Sequence, residues 1–162
     1  MKSYKSVVQD RYETESTEEN DSIYSPNSQI GKYSRKVIFR SLKSILDRFS
    51  NEKGNLTILD VGCGKGTLVD FFLSEGFTEK NIYGIDLSSN RINQAKTKYP
   101  SVNFVNGDAL ELTDITTEFD VITTFDLYSH FISKEEIIKG LKAISSKLKD
   151  TGTFIWYDIN TA

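Results

Sequence analysis

Three glycines alternate with other residues directly after a short apolar run, in the segment LDVGCGKGT of residues 59–67. They are Gly62, Gly64 and Gly66, and an acidic residue, Asp60, precedes them. Glycine adopts positive φ without steric cost and lets a ligand lie close to the main chain. A glycine-rich loop between a strand and a helix is therefore typical of a site for a phosphate group or a nucleoside.

The spacing of the glycines fits two phosphate-binding motifs poorly. Aligned on Gly64 and Lys65, the motif G-x-x-x-x-G-K-[ST] needs glycine at position 59 and serine or threonine at position 66. The chain has Leu59 and Gly66 there. The dinucleotide fingerprint G-x-G-x-x-G needs its third glycine at position 67, which is Thr67. A nucleoside without a phosphate against the loop is the third interpretation, and an ordinary strand-to-helix turn is the structural alternative.

Two further acidic residues follow the next two apolar runs of the chain. Asp86 ends the run IYGID, 24 residues beyond Gly62. A carboxylate there can accept hydrogen bonds from both ribose hydroxyls, each contributing about 1.5–3 kcal/mol. In the segment NGDAL, Asp108 follows the next apolar run. The structural alternatives are a helix-capping role for Asp86 and a turn role for Asp108.

Strands and helices that position these residues are predicted to alternate along the chain. The predicted strands cover residues 57–61, 81–86, 102–106, 119–125 and 153–159. The predicted helices begin at Ser34, Thr67, Ser88 and Ser133, after a loop at residues 24–33. Glu136 forms a capping box with Ser133, Gly76 suits the end of the second helix, and a turn is expected at residues 150–152.

This alternation predicts an open α/β fold with a parallel sheet, because strands that feed such helices make right-handed crossovers. In such sheets, ligands bind at the carboxyl ends of the strands. The glycine loop, Asp86, Asp108 and the segment 125–130 are therefore expected to converge at one edge of the sheet.

Composition limits the class of protein. The 162 residues, 38% of them hydrophobic, suffice for one globular domain, and the net charge of −3 gives no reason to expect nucleic-acid binding. Residues 10–21 hold six acidic side chains, which predicts a solvated, partly mobile arm over residues 1–29 ahead of a domain at 30–162. A lid over bound ligand is the alternative to a mobile arm.

The single cysteine, Cys63, and the lack of signal-peptide and membrane-spanning runs predict a cytoplasmic protein that does not associate with membranes.

Five segments, in chain order, resemble the class I S-adenosylmethionine-dependent methyltransferases: ILDVGCGKGTL, IYGIDLS, FVNGDALEL, FDVITTFDLYSHF and LKDTGTFIWYDI. The resemblance covers roughly residues 55–160. It implies a Rossmann-like, doubly wound parallel sheet of strand order 3-2-1-4-5. It also implies S-adenosylmethionine as cofactor and S-adenosylhomocysteine as product.

The family usually continues past the fifth strand with a helix and a β-hairpin. The chain given ends at Ala162, so we expect the hairpin to be lacking, in a piece of a longer protein or in a minimal domain. The fifth strand is then an exposed edge through which the chain could self-associate.

The resemblance also implies which residues hold the cofactor. Asp86 corresponds to the ribose ligand, Asp108 and Ala109 to the adenine ligands, and Asp60 to the group that steers the ammonium end, with simple loop bracing as its alternative. Leu87 and Leu110 are expected as apolar walls. The full set implied is Asp60, Gly62, Cys63, Gly64, Gly66, Asp86, Leu87, Asp108, Ala109 and Phe125.

Candidate catalytic residues lie in TTFDLYSHF. Orientation of the reactants can supply about 7–11 kcal/mol, against roughly 3–5 kcal/mol for a general base. His130, the only histidine, suits proton removal from a hydroxyl group, and Tyr128 is equally placed. The alternatives are a loop histidine and a core or lid tyrosine.

The segment at 125–128 lacks the prolines of the family's N/D-P-P-[YF] motif, which disfavours nucleobase or glutamine nitrogen as acceptor.

The sequence thus predicts methyl transfer to a small molecule, most simply at oxygen, with no metal ligands assigned. The alternatives are a non-catalytic cofactor-binding or interaction domain and, more distantly, a dehydrogenase. Tyr157 and Asp158 could contact the acceptor, and Trp156 is predicted to be core. Tyr24 and Tyr33 either close over the sulfonium or pack elsewhere.

Overall fold

The computed structural model describes residues 5–6, 29–49 and 53–158. Its helices are α1 (Gln29–Leu46), α2 (Val69–Ser74), α3 (Ser89–Lys98) and α4 (Lys134–Ser145). Its strands are β1 (Ile58–Val61), β2 (Ile82–Asp86), β3 (Asn103–Asn106), β4 (Phe119–Phe125) and β5 (Leu148–Tyr157). Single 3₁₀ turns lie at Asp47–Phe49, Glu79–Asn81 and Tyr128–His130. The acidic stretch 10–21 and Tyr24 lie outside the described residues, whereas residues 5–6 of the predicted arm are helical.

The five strands form one parallel sheet in the order β3-β2-β1-β4-β5, which confirms the predicted topology. Neighbouring residues of one strand serve opposite faces. Ile58 packs into the apolar cluster that includes residues of α1, α2 and α3, whereas Leu59 packs into the cluster that includes residues of α4. Helices therefore cover both faces, and none of the described helices has an apolar stretch able to cross a bilayer.

Helix α1 begins at Gln29, so the predicted start at Ser34 was wrong, and so was the predicted loop at residues 29–33. The rest of that predicted loop, residues 24–28, lies outside the described residues. Gly31, Ile38 and Leu42 are spaced so that they share one face of the helix, and Gly31 and Leu42 are buried. One glycine costs a helix about 1 kcal/mol, which packing along this face outweighs.

Helix α2 begins at Val69, two residues later than predicted. The φ of Gly66 is +77°, which a right-handed helix excludes, so the glycine loop delays the helix. Gly76, with φ of +98°, follows the end of the helix as predicted.

The predicted caps of α3 and α4 are confirmed. The Ser88 hydroxyl accepts a hydrogen bond from the Arg91 N–H at 3.4 Å. Ser133 and Glu136 form the capping box, with the Glu136 N–H 3.2 Å from the Ser133 hydroxyl and the Ser133 N–H 3.3 Å from the Glu136 carboxylate.

Strand β5 starts at Leu148 rather than at the predicted residue 153. Phe119 pairs with Leu148 and Val121 with Thr153, so residues 149–152 form a bulge where a turn was predicted. In the described part of the chain β5 is an edge strand. Trp156 is 50% exposed, and its prediction as a core residue was wrong, because an edge strand is covered less completely than a central one.

Candidate functional site

A cavity of about 280 Å³ lies at the carboxyl ends of the strands, as the fold predicts. Its walls come from α1, from the glycine loop after β1, from the ends of β2 and β3, and from the segment after β4. Among the described residues, no three His, Cys, Asp or Glu side chains are grouped as metal ligands would be.

The glycine loop curls over the end of β2. The N–H groups of Gly62 and Cys63 both donate to the carbonyl oxygen of Ile85, at 2.8 and 3.1 Å. Gly62 has φ of +81°, and a Cβ atom there would lie 3.1 Å from Leu127. The loop therefore requires glycine at position 62 for its conformation, and at this position only main-chain atoms can face the cavity.

Asp86 lies where the glycine loop meets the end of β2, and its side chain is almost completely buried. Its Oδ2 atom accepts a hydrogen bond from the Gly64 N–H at 2.8 Å, and its Oδ1 atom accepts one from the Ser88 N–H at 2.9 Å. A carboxylate has about four acceptor positions, so two are left for a ligand. Asp86 also lines the cavity.

Asp60 lines the same cavity and is 6% exposed. Its Oδ1 atom accepts a hydrogen bond from the Thr123 hydroxyl at 2.9 Å. Burial raises the pKa of Asp60 to about 7 despite this hydrogen bond, and the charge of Asp86 adds to the rise. A cationic ligand group would stabilise the ionised form.

Asp108 follows β3 on the same edge of the sheet as Asp86, since the Gly107 N–H donates to the Asp86 carbonyl at 3.1 Å. Gly107 and Ala109 line the cavity, and so does Leu87. The Asp108 side chain is not part of the cavity wall: Oδ1 accepts from the Leu110 N–H at 2.9 Å, and Oδ2 pairs with Lys5 Nζ at 2.9 Å.

Further predicted positions lie elsewhere than the cavity wall, and Gly66 is one of them. Leu110, predicted as a wall, is buried in the cluster that includes α4 residues. Tyr33 is 70% exposed on α1 and does not line the cavity. Cys63 does line it, and burial raises the pKa of its thiol.

The segment after β4 forms a further part of the cavity wall. Phe125, Asp126 and His130 line the cavity, and Tyr157 from the end of β5 joins them. The rings of Phe125 and Tyr157 stack with centroids 5.6 Å apart. Asp126 has φ of +52°, in the left-handed region, which aspartate adopts more readily than most residues other than glycine.

The other candidates from this segment are placed differently. Tyr128 is 4% exposed, lies against Trp156 and Phe131 at centroid distances of 4.6 and 5.0 Å, and does not line the cavity. Burial raises the pKa of its phenol. The Asp158 carboxylate accepts hydrogen bonds from the N–H groups of Tyr128 and Ser129 at 3.1 and 2.9 Å, so it fixes the 3₁₀ turn.

Sequence analysis missed several wall residues, among them two cations. Arg35, Ile38 and Phe39 line the cavity from α1, and Arg91 lines it from α3. The spacing of residues 35, 38 and 39 places them on one helical face, so the sequence could have indicated that they lie together. Arg91 stands three residues after the Ser88 cap, in the first turn of a helix that starts at the site.

Known proteins resemble this chain at the level of the domain. A family described as a methyltransferase domain matches residues 58–152. A putative methyltransferase 235L of Invertebrate iridescent virus 6 is 29% identical over 108 residues, which are 65% of this chain and 40% of that protein. The mitochondrial ubiquinone biosynthesis O-methyltransferase of Saccharomyces cerevisiae is 30% identical over 106 residues, which are 63% of this chain and 34% of that protein.

A solved structure shares the fold. Magnesium protoporphyrin IX methyltransferase from Synechocystis PCC 6803, solved with bound S-adenosylmethionine, has a TM-score of 0.71 at 20% identity, over 92% of this chain and 74% of that one. The curated relatives are longer, since this chain spans well under half of each of the two named above. The matched family covers more than half of this chain, and the fold and motif order agree with it. The chain therefore belongs to the class I S-adenosylmethionine-dependent methyltransferases.

Proposed function

We propose that this chain binds S-adenosylmethionine in the cavity and transfers a methyl group to an oxygen atom of a small-molecule acceptor. The supporting observation is that the glycine loop, Asp60, Asp86 and His130 all line one cavity. S-adenosylmethionine supplies an electrophilic methyl group on a sulfonium sulfur. The protein then has to bind the cofactor, orient it toward the acceptor and keep water away from the methyl group.

The donors and acceptors on the wall fit this cofactor. Asp86 keeps two acceptor positions, which suits the two ribose hydroxyls. Gly107, Ala109 and the apolar Leu87 suit the adenine ring. Asp60, in its ionised form, suits the ammonium group, which would lower the pKa of the carboxyl from about 7.

The part of the wall formed by the segment after β4 suits the sulfonium and the acceptor. The aromatic ring of Phe125 can attract a sulfonium cation, as aromatic faces attract other cations. His130 is the candidate general base for a hydroxyl acceptor, because it lines the cavity. Tyr128 is the weaker candidate, since its side chain is buried away from the cavity wall.

The names of the relatives support methyl transfer more firmly than they support oxygen. One relative is named an O-methyltransferase, and others are named C-methyltransferases of ubiquinone and menaquinone biosynthesis. We therefore base the proposal of oxygen on His130 and on the missing prolines after β4. A cytoplasmic location, the domain boundary at residue 30 and self-association through β5 stay predictions.

Two measurements test the proposal. Calorimetric titration with S-adenosylmethionine and S-adenosylhomocysteine tests binding, and we expect both to bind. Incubation with methyl-labelled cofactor and a fractionated pool of small metabolites tests transfer, and we expect label in an O-methyl product. Binding without transfer to any fraction would favour a non-catalytic binding domain, and label on carbon would overturn the choice of oxygen. Absence of binding would overturn the whole proposal.

A further inference from the structure

Lys5 lies far from Asp108 in the chain but forms an ion pair with it. The Lys5 ammonium is 2.9 Å from Asp108 Oδ2. The Asp108 side chain is 10% exposed, whereas that of Lys5 is 51% exposed. The half-exposed side chain of Lys5 thus places its ammonium against a nearly buried carboxylate.

The two oxygens of Asp108 differ in their surroundings. Oδ1 accepts the N–H of Leu110 at 2.9 Å. Oδ2 has almost no solvent-accessible surface and lies against Lys5, so a ligand can reach it only where Lys5 moves away. Gly107 and Ala109 line the cavity, while the side chain between them does not. The hydrogen bond to Asp108 raises the pKa of Lys5, and the charge of Glu111 adds to the rise, so the ammonium stays protonated at neutral pH.

We propose that Lys5 occupies the acceptor that the adenine amino group needs, so that nucleoside binding has to displace the Lys5 ammonium from Asp108. This inference rests on the proposed function and on the family resemblance, which implies that Asp108 binds the amino group of the adenine. Adenine offers Asp108 a neutral N–H donor, whereas Lys5 offers a full charge at hydrogen-bond distance. The contact between Lys5 and Asp108 is therefore autoinhibitory: it lowers the affinity of the empty site for the nucleoside.

The expected size of the effect follows from the exposure of Lys5. Ion pairs with one exposed partner contribute modestly, so removing the ammonium should tighten nucleoside binding about threefold. The effect should also depend on salt, because screening weakens the ion pair. Adenosine carries no charge, so its own binding to the site adds little salt dependence.

The test compares the Lys5→Met variant with wild type by calorimetric titration of adenosine and S-adenosylhomocysteine. Lys139→Met is the matched control, since Lys139 is 54% exposed and pairs with Glu111 at 2.8 Å instead of Asp108. We expect Lys5→Met to bind both probes about threefold more tightly and Lys139→Met to match wild type. Between 50 and 500 mM NaCl, wild type should gain affinity for adenosine and Lys5→Met should not.

A double variant separates competition from a general change in the protein. In an Asp108→Asn background the ion pair is gone, so adding Lys5→Met should change the affinity no further. Equal or weaker binding by Lys5→Met than by wild type would overturn the inference while leaving the proposed function intact. If neither wild type nor any variant binds adenosine or S-adenosylhomocysteine, both this inference and the proposed function are overturned.

Discussion

The Asp86 carboxylate holds the glycine loop: its Oδ2 atom accepts a hydrogen bond from the Gly64 N–H at 2.8 Å. Its other oxygen fixes the start of α3 through the Ser88 N–H at 2.9 Å. The residue proposed to bind ribose therefore also sets the position of the loop against which the cofactor would lie. Such preorganisation reduces the entropy lost on binding.

Replacing Asp86 with alanine should nearly abolish binding of S-adenosylmethionine. Two charge-assisted hydrogen bonds to ribose, at about 1.5–3 kcal/mol each, correspond to a loss of roughly 100-fold or more in affinity. Calorimetric titration measures the loss, and circular dichroism checks that the variant is folded.

The matched control for this variant is Asp70→Ala. The Asp70 side chain is 70% exposed, pairs with Lys98 at 3.1 Å and does not line the cavity. Its replacement should leave the affinity within about twofold of wild type. A folded Asp86→Ala protein that binds as tightly as this control would contradict the assignment of the ribose site.

Gly66→Ala should destabilise the fold by about 1–3 kcal/mol. Gly66 has φ of +77°, and a Cβ atom there would lie 3.0 Å from the Tyr99 ring and 3.2 Å from the Phe104 ring. Urea unfolding followed by circular dichroism measures the change in the free energy of unfolding.

Gly54→Ala provides the comparison. A Cβ atom at Gly54 would come no closer than 3.6 Å to a neighbouring atom, so the free energy of unfolding should change by less than about 0.5 kcal/mol. Similar stabilities for the Gly54 and Gly66 variants would show that positive φ and close packing are not what the loop requires of residue 66.

Local chemistry explains what the sequence predicted well. The glycine loop, the Ser133 capping box and the end of α3 before Pro100 depend on residues a few positions apart, and the structure confirms them. The strand order followed from the alternation of strands and helices combined with the family motifs.

Long-range packing explains what the sequence did not predict. The early start of α1 depends on the burial of Gly31, and the exposure of Trp156 depends on the place of β5 at the edge of the described sheet. Arg35 reaches the cavity only because α1 lies beside it. The pairing of Lys5 with Asp108 joins residues about a hundred positions apart, and no local pattern reports such a contact.

Asp60 should make the stability of the protein fall as the pH rises from about 4 to about 7. The pKa of its carboxyl rises from 3.8 in the unfolded reference to about 7 in the fold, chiefly through burial. The folded chain therefore binds the proton more tightly in this window, and the free energy of unfolding decreases with pH by up to on the order of 4 kcal/mol. Unfolding curves across pH for wild type and Asp60→Asn measure this, because only wild type should show the Asp60 contribution. If the free energies of unfolding of wild type and Asp60→Asn change with pH in parallel, the predicted contribution of Asp60 is contradicted.

Ligand binding should depend on pH in the opposite direction. Ionised Asp60 attracts an ammonium group, so affinity for S-adenosylhomocysteine should rise as the pH increases toward and past 7. Methylthioadenosine lacks the amino-acid part and serves as the matched probe, whose affinity should change much less. Titrations at several pH values compare the two ligands, and an equal pH dependence for both would argue against placing the ammonium at Asp60.

His130→Gln and Tyr128→Phe should separate the two catalytic candidates once an acceptor is found. His130 lines the cavity, whereas Tyr128 is buried against Trp156. Loss of a general base lowers turnover by about 10²–10⁴-fold, so His130→Gln should lower kcat in this range without changing cofactor affinity. Tyr128→Phe removes only a buried hydroxyl and should keep kcat within about threefold of wild type. The reverse outcome, a large loss in Tyr128→Phe alone, would require the segment after β4 to rearrange when the acceptor binds, and would transfer the role of base to the tyrosine.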